Sequence, residues 1–429
     1  MKKTKYLIIG NSVSGVNCVE GIRQVDKKGK ISIVSDEGVY NYSRPLISYY
    51  LGGRIEKSGM PFRDEGFYGE NGAELFLNAR AEKIDALKKN VTANGGAIEF
   101  EKLLIATGGR PFVPRIEGID SAKEGVFTFT KLSDAEAIIK YIENESIKNA
   151  VVLGGGLIGL KCAEGLIERS IKTVIVELAD RLLPNTLDKT ASGIIEEALE
   201  KKECGLIKEE TVSAIESRGG RVEGVRLKPG GKTLKTNLFV IAIGVSPDID
   251  IAKAAGIKHG RGITVDSRMR TNFEYIYAAG DVAEGRDSLL GSNAVIAIWP
   301  VAAMQGRVAG INMAGGSAVY DGMFPMNAVD IAGVPVVSFG ITNPPDTGEY
   351  EVLEKKGDGF YKKIVLKNNI ISGCIFLGKI ERSGIFSGII RDRMDVTSFK
   401  KELLSEDFGL LVLPKEYRKH MVVGEGIEV

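Results

Sequence analysis

Histidine is nearly absent from this chain, and its cysteines are isolated in sequence. Only His259 and His420 are present, and the four cysteines, at positions 18, 162, 204 and 374, form no CxxC pair. Two histidines are too few for a histidine-based metal site, and the cysteine spacings match no metal-ligand set. The sequence therefore predicts no metal site. It also favours a reducing, cytoplasmic compartment, where cysteines stay free.

Long apolar runs and an excess of charge are missing as well. No stretch reaches the ~18 apolar residues of a membrane-spanning helix, so we expect no membrane span. The apolar run from Tyr6 to Ile9 is too short for a signal peptide and ends in glycine, which indicates a first β-strand. With a net charge of +1 and a pI of about 7.5, electrostatics favours neither nucleic acid nor an anionic membrane as a partner.

Glycine, by contrast, is abundant. The chain has 53 glycines in 429 residues, well above the usual fraction of about 7%. They follow no period, which indicates many tight turns and close approaches of the backbone to a ligand. The length itself predicts two to four domains.

Two segments repeat one pattern of apolar strand, glycine turn, helix and second strand. They run from Tyr6 to Val34 and from Ala150 to Glu177. Each is typical of a βαβ unit, and near-continuous apolar strands indicate buried parallel sheets. Further strands ending in small-residue turns follow, at 103–108 and 239–244. The sequence therefore predicts an α/β fold with two doubly wound, Rossmann-like domains.

The last quarter of the chain has a different character. A short strand ending in Gly280-Asp281 precedes a predicted helix over about residues 292–314. From Tyr320 onward, strand-like runs at 334–339, 362–366 and 370–377 alternate with turns, and helical stretches follow. This pattern predicts a separate C-terminal α+β domain.

The second glycine turn has the spacing Gly154-x-Gly156-x-x-Gly159 and includes Leu157 and Ile158. The first glycine permits the tight turn, the second admits a pyrophosphate, and the third lets the helix pack on the strand. The pyrophosphate then lies at the helix N-terminus, where free N–H groups favour an anion.

Glu177 stands about 20 residues after this turn, at the end of the next strand, as the dinucleotide fingerprint requires. A carboxylate there accepts hydrogen bonds from the ribose hydroxyls and repels a 2′-phosphate. We therefore predict that NADH is preferred over NADPH. Arg181, four residues further on, would act in the opposite direction by attracting a phosphate.

The first glycine turn is Gly10-x-Ser12-x-x-Gly15, with serine in place of the middle glycine. Serine is small, and its hydroxyl can donate to a phosphate. Asp36 or Glu37 supplies the acidic residue after the second strand. Two nucleotide folds in one chain predict two bound dinucleotides.

The order of these motifs resembles the two-dinucleotide-binding flavoproteins, the pyridine nucleotide-disulfide oxidoreductases. The resemblance also covers the stretch Ala106 to Pro111 and the stretch Tyr277 to Asp281. It implies FAD on the first fold and NAD(H) on the second, with Asp281 bonded to the FAD ribityl chain. The remaining cofactor-binding residues that we expect are Ala106, Thr107, Gly108, Arg110, Gly244 and Gly280.

The resemblance also implies where the domains lie. We predict a discontinuous FAD-binding domain at 1–112 and 245–318, an NAD-binding domain at 113–244, and a C-terminal α+β interface domain at 319–429.

The stretch from Asp36 to Ser48 resembles that of rubredoxin and ferredoxin reductases and of the flavoprotein part of NADH-dependent nitrite reductases. The resemblance implies that Arg44 and Pro45 lie against the flavin ring; the alternative is a simple surface turn. Residues 38–60 contain no cysteine, and Cys18 is alone on the first helix. No thiolate nucleophile can be assembled, and we expect Cys18 and Cys162 to be small buried residues.

Lys161 stands two residues after the last glycine of the second turn. Many relatives have a glutamate there, paired with a lysine after the Arg-Pro stretch, where this chain has Tyr49. The resemblance implies that Lys161 lies beside the flavin without its usual counter-charge. An ammonium there would stabilise the reduced ring and act in catalysis; the alternative is that Lys161 points to solvent.

The resemblance implies hydride transfer from the nicotinamide to the flavin, which requires alignment at about 3–3.5 Å. Three alternatives are open for the second half-reaction. The favoured one is a one-electron protein carrier, such as rubredoxin, ferredoxin or an iron–sulfur subunit. The others are an NADH oxidase that reduces dioxygen or another small acceptor, and a non-catalytic flavin-bearing subunit or redox sensor. The sequence also leaves a homodimer open.

Overall fold

A computed structural model describes residues 2–415 of the chain. The strands are β1 Lys2–Ile9, β2 Ile31–Val34, β3 Ala73–Phe76, β4 Ala81–Asp85, β5 Asn90–Ala93, β6 Gly96–Ile105, β7 Gly109–Pro111, β8 Val126–Thr128, β9 Asn149–Leu153, β10 Lys172–Val176, β11 Gly205–Ile207, β12 Thr211–Arg218, β13 Arg221–Lys228, β14 Thr233–Lys235, β15 Leu238–Ile241, β16 Val245–Pro247, β17 Ile263–Thr264, β18 Ile276–Ala278, β19 Ala283–Arg286, β20 Asn293–Ala294, β21 Met326–Ile331, β22 Val334–Gly340, β23 Tyr350–Gly357, β24 Phe360–Lys367 and β25 Ile370–Leu377. The helices are α1 Val13–Val25, α2 Ile47–Leu51, α3 Phe67–Glu70, α4 Leu132–Glu145, α5 Leu157–Glu168, α6 Lys189–Glu200, α7 Asp250–Ala254, α8 Trp299–Met313 and α9 Gly384–Arg391.

Contacts divide the described residues into two compact units. The larger unit comprises 2–176 and 210–323, and the smaller unit comprises 177–209 and 324–415. The segment 177–209, which we predicted to be part of the NAD-binding domain, is thus grouped with the C-terminal residues. The predicted domain limits stay a prediction, and residues 416–429 of the predicted C-terminal domain, with His420, lie outside the described part.

The first sheet of the larger unit has the order β3-β2-β1-β6-β5-β4, with β18 alongside β6. Strands β3, β2, β1, β6 and β18 are parallel. Tyr6, Leu7 and Ile8 are fully buried, as expected for a parallel strand covered on both faces. The segments that follow the strands meet at one edge, where Ala106 N donates to Ile9 O at 2.8 Å and Ala279 N to Ile105 O at 3.1 Å.

Helices α1 and α8 pack against each other through glycine. A Cβ on Gly306 would collide with the backbone of Ser14, and a Cβ on Gly310 would collide with the backbone of Cys18. Two helix backbones approach this closely only where side chains are absent. This contact fixes the N-terminal half of α1 against α8.

A second parallel sheet of the larger unit contains β10, β9, β15 and β8, in that order. The glycine turn 154–156 connects β9 to α5, so the second βαβ unit is as predicted. An antiparallel group β12-β13-β14 and the pair β7–β16 complete this region.

The smaller unit contains an antiparallel sheet with the order β21-β22-β25-β24-β23. Helix α9 packs on β25, where the rings of Phe376 and Phe386 are 4.8 Å apart. The predicted α/β fold with a C-terminal α+β region is therefore confirmed. Among residues 2–415, no helix is long and apolar enough to cross a membrane.

The predicted helix over 292–314 is shorter than expected. Residues Asn293–Ala294 form β20, paired with β19, and α8 begins only at Trp299. Pro300 lies in the first turn of α8, where its missing N–H costs no hydrogen bond. The apolar content before Trp299 therefore belongs to an extended segment and not to the helix.

Candidate cofactor-binding site

The first glycine turn lies between β1 and α1 and leaves the helix N-terminus open. Gly10 has a φ of +112°, and a Cβ on it would collide with Ala106 O. A Cβ on Gly15 would collide with Gly10 O. Ser12 begins α1 without a side-chain cap hydrogen bond. Its hydroxyl and the first N–H groups of α1 fit a phosphate group.

A buried amide network behind this turn was missed by the sequence reasoning. Tyr68 OH donates to Asn11 Oδ1 at 2.8 Å and accepts from Asn41 N at 3.2 Å. Asn11 Nδ2 is buried and has no partner among residues 2–415. A buried donor without a partner costs about 1–3 kcal/mol, so the amide fits a site that a ligand acceptor completes. The asparagine after Gly10 was the only sequence signal for it.

Arg44 and Glu37, two residues that we predicted to contact FAD, form an ion pair with each other. Arg44 Nη2 donates to Glu37 Oε1 at 3.0 Å, and Nη1 donates to Thr130 O at 2.7 Å. Tyr42 OH donates to Glu37 Oε2 at 2.8 Å. Asp36, the other acidic candidate, is exposed and pairs with Lys131. Glu37 is therefore the better-placed carboxylate, and it retains lone pairs for a ribose.

Asp281 is a half-buried carboxylate after β18, next to Gly280, whose φ is +83°. Burial raises the pKa of Asp281, and the positive charge of Arg44 lowers it, with a net rise. Among the described residues, no hydrogen-bond or ion-pair partner of Asp281 is found. A carboxylate that is desolvated and still lacks donors fits the hydroxyl groups of a ribityl chain.

The side chains of Thr107 and Arg110, which we predicted to contact the cofactor, are bonded to other residues of the protein. Thr107 Oγ1 donates to Asp248 O at 2.8 Å, and Arg110 forms an ion pair with Asp250. Gly108 has a φ of +69° and accepts a hydrogen bond from Asp248 N at 2.9 Å. These residues tie the turn after β6 to the segment after β16, and their cofactor contacts stay a prediction. Pro45 follows Arg44 in a short 3₁₀ turn that leads into α2.

The second glycine turn has the same construction as the first. Gly154 has a φ of +116°, and a Cβ on Gly159 would collide with Gly154 O. A Cβ on Gly156 or on Gly244 would meet no atom, so both positions face open space. Leu157 and Ile158 form the first turn of α5. The open face at Gly156 and the free start of α5 fit a pyrophosphate.

Glu177 and Arg181 are described within the smaller unit. Glu177 Oε1 accepts a hydrogen bond from Ala179 N at 2.7 Å. Arg181 Nη1 pairs with Asp180 at 2.8 Å, and its other nitrogens donate to backbone carbonyls of the same loop. Arg181 is therefore engaged within its own loop.

Lys161 meets Tyr49, as expected, but its charge is compensated. Its Nζ lies 5.0 Å from the centre of the Tyr49 ring and 2.5 Å from a carboxylate oxygen of Glu164. The expectation that Lys161 lacks a counter-charge was wrong, because residues three apart on a helix are neighbours. The Lys161 side chain is only 16% exposed, so it does not point freely into solvent. Arg54 approaches the same ring, at 5.3 Å.

Comparison with known proteins places this geometry in a family. The family model described as pyridine nucleotide-disulphide oxidoreductase matches residues 4–306, and the rubredoxin NAD+ reductase C-terminal domain matches residues 325–394. The chain belongs to the pyridine nucleotide-disulphide oxidoreductases. It is thus an oxidoreductase with FAD and NAD(H) as cofactors, and the turns, Asn11 and Asp281 fit these groups.

Several members of this family are similar over most of the chain. The NADH-dependent phenylglyoxylate dehydrogenase subunit epsilon of Aromatoleum evansii is 31% identical over 415 residues, covering 96% of this chain and 97% of that protein. The nitrite reductase [NAD(P)H] of Bacillus subtilis is 31% identical over 95% of this chain, which spans only 50% of that relative. The solved structure of an NAD-dependent persulfide reductase from A. fulgidus is 28% identical, with a TM-score of 0.83, and covers 91% of this chain and 77% of that one.

This member of the family keeps its four cysteines apart from one another. Cys18, Cys162, Cys204 and Cys374 are all buried and free. Burial raises the pKa of each thiol, to about 12 for Cys204 and well above its ordinary value for Cys374. The expected burial of Cys18 and Cys162 is confirmed, and the thiols are protonated at neutral pH. In residues 2–415 no cluster of three potential metal ligands occurs.

Proposed function

We propose that this protein takes electrons from NADH and passes them through FAD to a one-electron protein carrier: a rubredoxin, a ferredoxin or an iron–sulfur subunit. The observation that carries the proposal is the match of residues 325–394 to the C-terminal domain of rubredoxin NAD+ reductases, behind two nucleotide folds. The relative from Aromatoleum evansii is itself named as one subunit of an NADH-dependent enzyme, which supports a protein partner.

The burial of all four cysteines supports this choice of acceptor. A disulfide or persulfide acceptor in such a fold would call for an accessible thiolate, and here each thiol is buried with a raised pKa. FAD supplies a centre that takes up two electrons together and releases them one at a time. A one-electron carrier needs no protein nucleophile, so it fits the residues that this chain has.

The residues that would hold FAD lie in the larger unit. Ser12 and the N-terminus of α1 would bind the pyrophosphate, with Asn11 Nδ2 as an additional donor. Glu37 would accept hydrogen bonds from the adenosine ribose, and Asp281 from the ribityl hydroxyls. Arg44 and Pro45 would lie against the flavin ring.

The residues that would hold NADH are the second glycine turn, 154–159, Gly244 and Glu177. The turn would bind the pyrophosphate at the start of α5, and Glu177 would accept from the ribose and repel a 2′-phosphate. Lys161, in its ion pair with Glu164, would stabilise the reduced flavin ring. The buried, unpaired cysteines support a cytoplasmic location, and the homodimer stays a prediction.

Anaerobic rapid mixing of the FAD-loaded protein with NADH tests this function directly. We expect NADH to reduce the flavin at least as fast as the steady-state turnover. Rubredoxin or a [2Fe–2S] ferredoxin should then reoxidise it much faster than air does. Carrier reduction should weaken as salt is raised, because charged surfaces guide such encounters. Rapid dioxygen consumption by the protein alone, with no effect of any carrier, would instead identify an oxidase. Very slow flavin reduction by NADH would indicate a non-catalytic subunit.

A further inference from the structure

The loop between β10 and α6, residues 177–188, begins at the residue that we expect to contact the NADH ribose. Within the smaller unit, Glu177 Oε1 accepts from Ala179 N at 2.7 Å, and Ala179 O accepts from Glu209 N at 3.1 Å. The beginning of this loop is therefore fixed by its own backbone and by the strand-end segment that follows β11.

The far end of the loop is held by a side chain from the C-terminal sheet region. Asn343 Nδ2 donates to Pro184 O and to Leu187 O, both at 3.1 Å. Arg181 donates to the same two carbonyls, at 3.3 and 3.4 Å, and pairs with Asp180. Asn343 thus stabilises the loop conformation in which the guanidinium of Arg181 is engaged inside the loop.

Asp188, at the end of the loop, is held by two more residues of the same sheet region. Its Oδ1 caps α6 by accepting from Ala191 N at 2.9 Å. Its Oδ2 accepts from Tyr361 OH at 2.7 Å and from Lys363 Nζ at 2.8 Å. Burial alone would raise the pKa of Asp188, but the Ala191 amide, Lys363 and Tyr361 hold it below the ordinary value. The carboxylate therefore stays ionised and keeps accepting at neutral pH.

We propose that Asn343, Tyr361 and Lys363, which we call the loop clamp, are positioning residues for NADH. They hold residues 177–188 in the conformation that presents Glu177 to the adenosine ribose and keeps Arg181 bonded to loop carbonyls. Loosening the clamp weakens NADH binding and releases Arg181 toward the 2′-phosphate of NADPH. The inference rests on the proposed function only in assigning the adenosine ribose to Glu177.

The test uses six variants of the FAD-loaded protein: two that weaken the clamp, two matched controls and two further substitutions of Asn343. Asn343→Ala removes two hydrogen bonds at an exposed position, and Tyr361→Phe removes one hydroxyl. The matched controls are Asn327→Ala, whose amide bonds Ser338 at 3.4 Å in the same sheet, and Tyr350→Phe on β23. Equilibrium titration with NAD+ and NADP+ measures binding without reducing the flavin. Thermal unfolding and FAD content are recorded for every variant.

We expect Asn343→Ala and Tyr361→Phe to raise the Kd for NAD+ about threefold to tenfold, as for the loss of one or two hydrogen bonds. The Kd for NADP+ should stay level or fall, and Tm, FAD content and the flavin reduction rate at saturating NADH should not change. Both controls should bind as the wild type. Asn343→Gln, which keeps the amide donor, should recover part of the affinity, whereas Asn343→Asp should recover none.

Two results would overturn the clamp. One is an unchanged Kd for NAD+ in both variants, and the other is a loss of affinity that is matched by equal losses of Tm and FAD content. Either result leaves the carrier function intact, because carrier reduction is measured separately. A wild type that binds NAD+ but reduces no carrier would contradict the proposed function and leave the clamp standing.

Discussion

Lys161 carries a charge that the protein compensates on the same helix. Its ion pair with Glu164 spans three residues, and the Glu164 side chain is only 5% exposed. Removing one member of a buried pair leaves the other desolvated, which costs up to about 3–5 kcal/mol in full burial. A substitution at Lys161 therefore affects the stability of α5 and, under the proposed function, the environment of the flavin as well.

We predict that Lys161→Ala lowers the flavin midpoint potential by about 30 mV, which is about 1.4 kcal/mol for a two-electron couple. It should also lower Tm, because Glu164 loses its cation. Lys161→Glu should do more harm, since two carboxylates then face each other one helical turn apart. Spectroelectrochemical titration and thermal unfolding measure the two effects.

Two comparisons separate these effects. The double variant Lys161→Met with Glu164→Gln should recover Tm but not the potential. Lys3→Ala, on an exposed side chain of β1, is the control for a lost surface charge. Equal potentials in all these proteins would show that Lys161 does not act on the flavin.

Replacing Asp281 should have opposite effects on the stability of the apoprotein and on its affinity for FAD. Asp281→Asn removes the charge of a half-buried, desolvated carboxylate, so the apoprotein should be more stable than the wild type at neutral pH. FAD should bind about 10- to 100-fold more weakly, as for the loss of a charge-assisted bond of about 1.5–3 kcal/mol.

The pH dependence of apoprotein stability tests whether the ionised form of Asp281 destabilises the fold. Because burial raises the pKa of Asp281, its charged form destabilises the fold at high pH. That cost disappears as pH falls below about 3.9, the ordinary value for an aspartate, where both states are protonated. The stability difference between Asp281→Asn and wild type should therefore vanish in acid, and a difference that persists there would exclude this cause.

Glu177 allows charge and hydrogen bonding to be tested separately. Glu177→Gln keeps an acceptor for Ala179 N but removes the negative charge, so the ratio of kcat/KM for NADH over NADPH should fall about tenfold. Glu177→Ala should in addition raise the KM for NADH, because the loop loses a hydrogen bond. Glu200→Gln on α6 is a suitable surface control, and an unchanged ratio in both Glu177 variants would remove Glu177 from cofactor selection.

At the scale of elements, two glycines of the second turn allow the effect of a substitution on NADH binding to be measured apart from its effect on stability. A Cβ on Gly156 meets no atom, whereas a Cβ on Gly159 collides with Gly154 O. We predict that Gly156→Ala changes the free energy of unfolding by less than about 1 kcal/mol but weakens NADH binding by blocking the pyrophosphate. Gly159→Ala should lower Tm strongly.

Differential scanning calorimetry together with NAD+ titration measures both effects. Ordinary NAD+ affinity in a folded Gly156→Ala protein would mean that no pyrophosphate lies on this turn.

Local sequence patterns predicted most of these elements. They could not predict contacts between residues that are far apart in the chain. The strands around Tyr6, Ala150 and Leu103 follow from apolar runs bounded by glycine, and the structure has them. The start of α8 was misplaced because the apolar run 294–298, which reads Ala-Val-Ile-Ala-Ile, is compatible with either a helix or an extended segment. The partners of Asn11 and Asn343 depend on residues far along the chain, so no spacing rule could have indicated them.

For the molecule as a whole, the burial of the cysteines favours direct electron transfer from the flavin to the carrier over transfer through a thiol. Because all four thiols are buried with raised pKa values, alkylation of the NADH-reduced native protein should leave carrier reduction unchanged. Cys18→Ala should keep activity as well, with a modest loss of Tm because Cys18 packs 3.6 Å from Met313. Loss of carrier reduction on alkylation, or a thiolate–flavin charge-transfer band, would contradict this route.

The glycine-mediated contact between α1 and α8 has a consequence for biosynthesis. Helix α1 is translated before α8, which packs on it, and before β18, which joins the first sheet beside β6; both follow α1 by more than 200 residues. At a synthesis rate of about 5–20 residues per second, the face of α1 that packs on α8 stays uncovered in the nascent chain for roughly 15 to 60 seconds. Strands β8, β9, β10 and β15 of the second sheet all lie between residues 126 and 241, so they can pair during that interval. On this view FAD is captured only after α8 and β18 have been made, and the uncovered face of α1 is the part of the nascent chain that chaperones would need to protect.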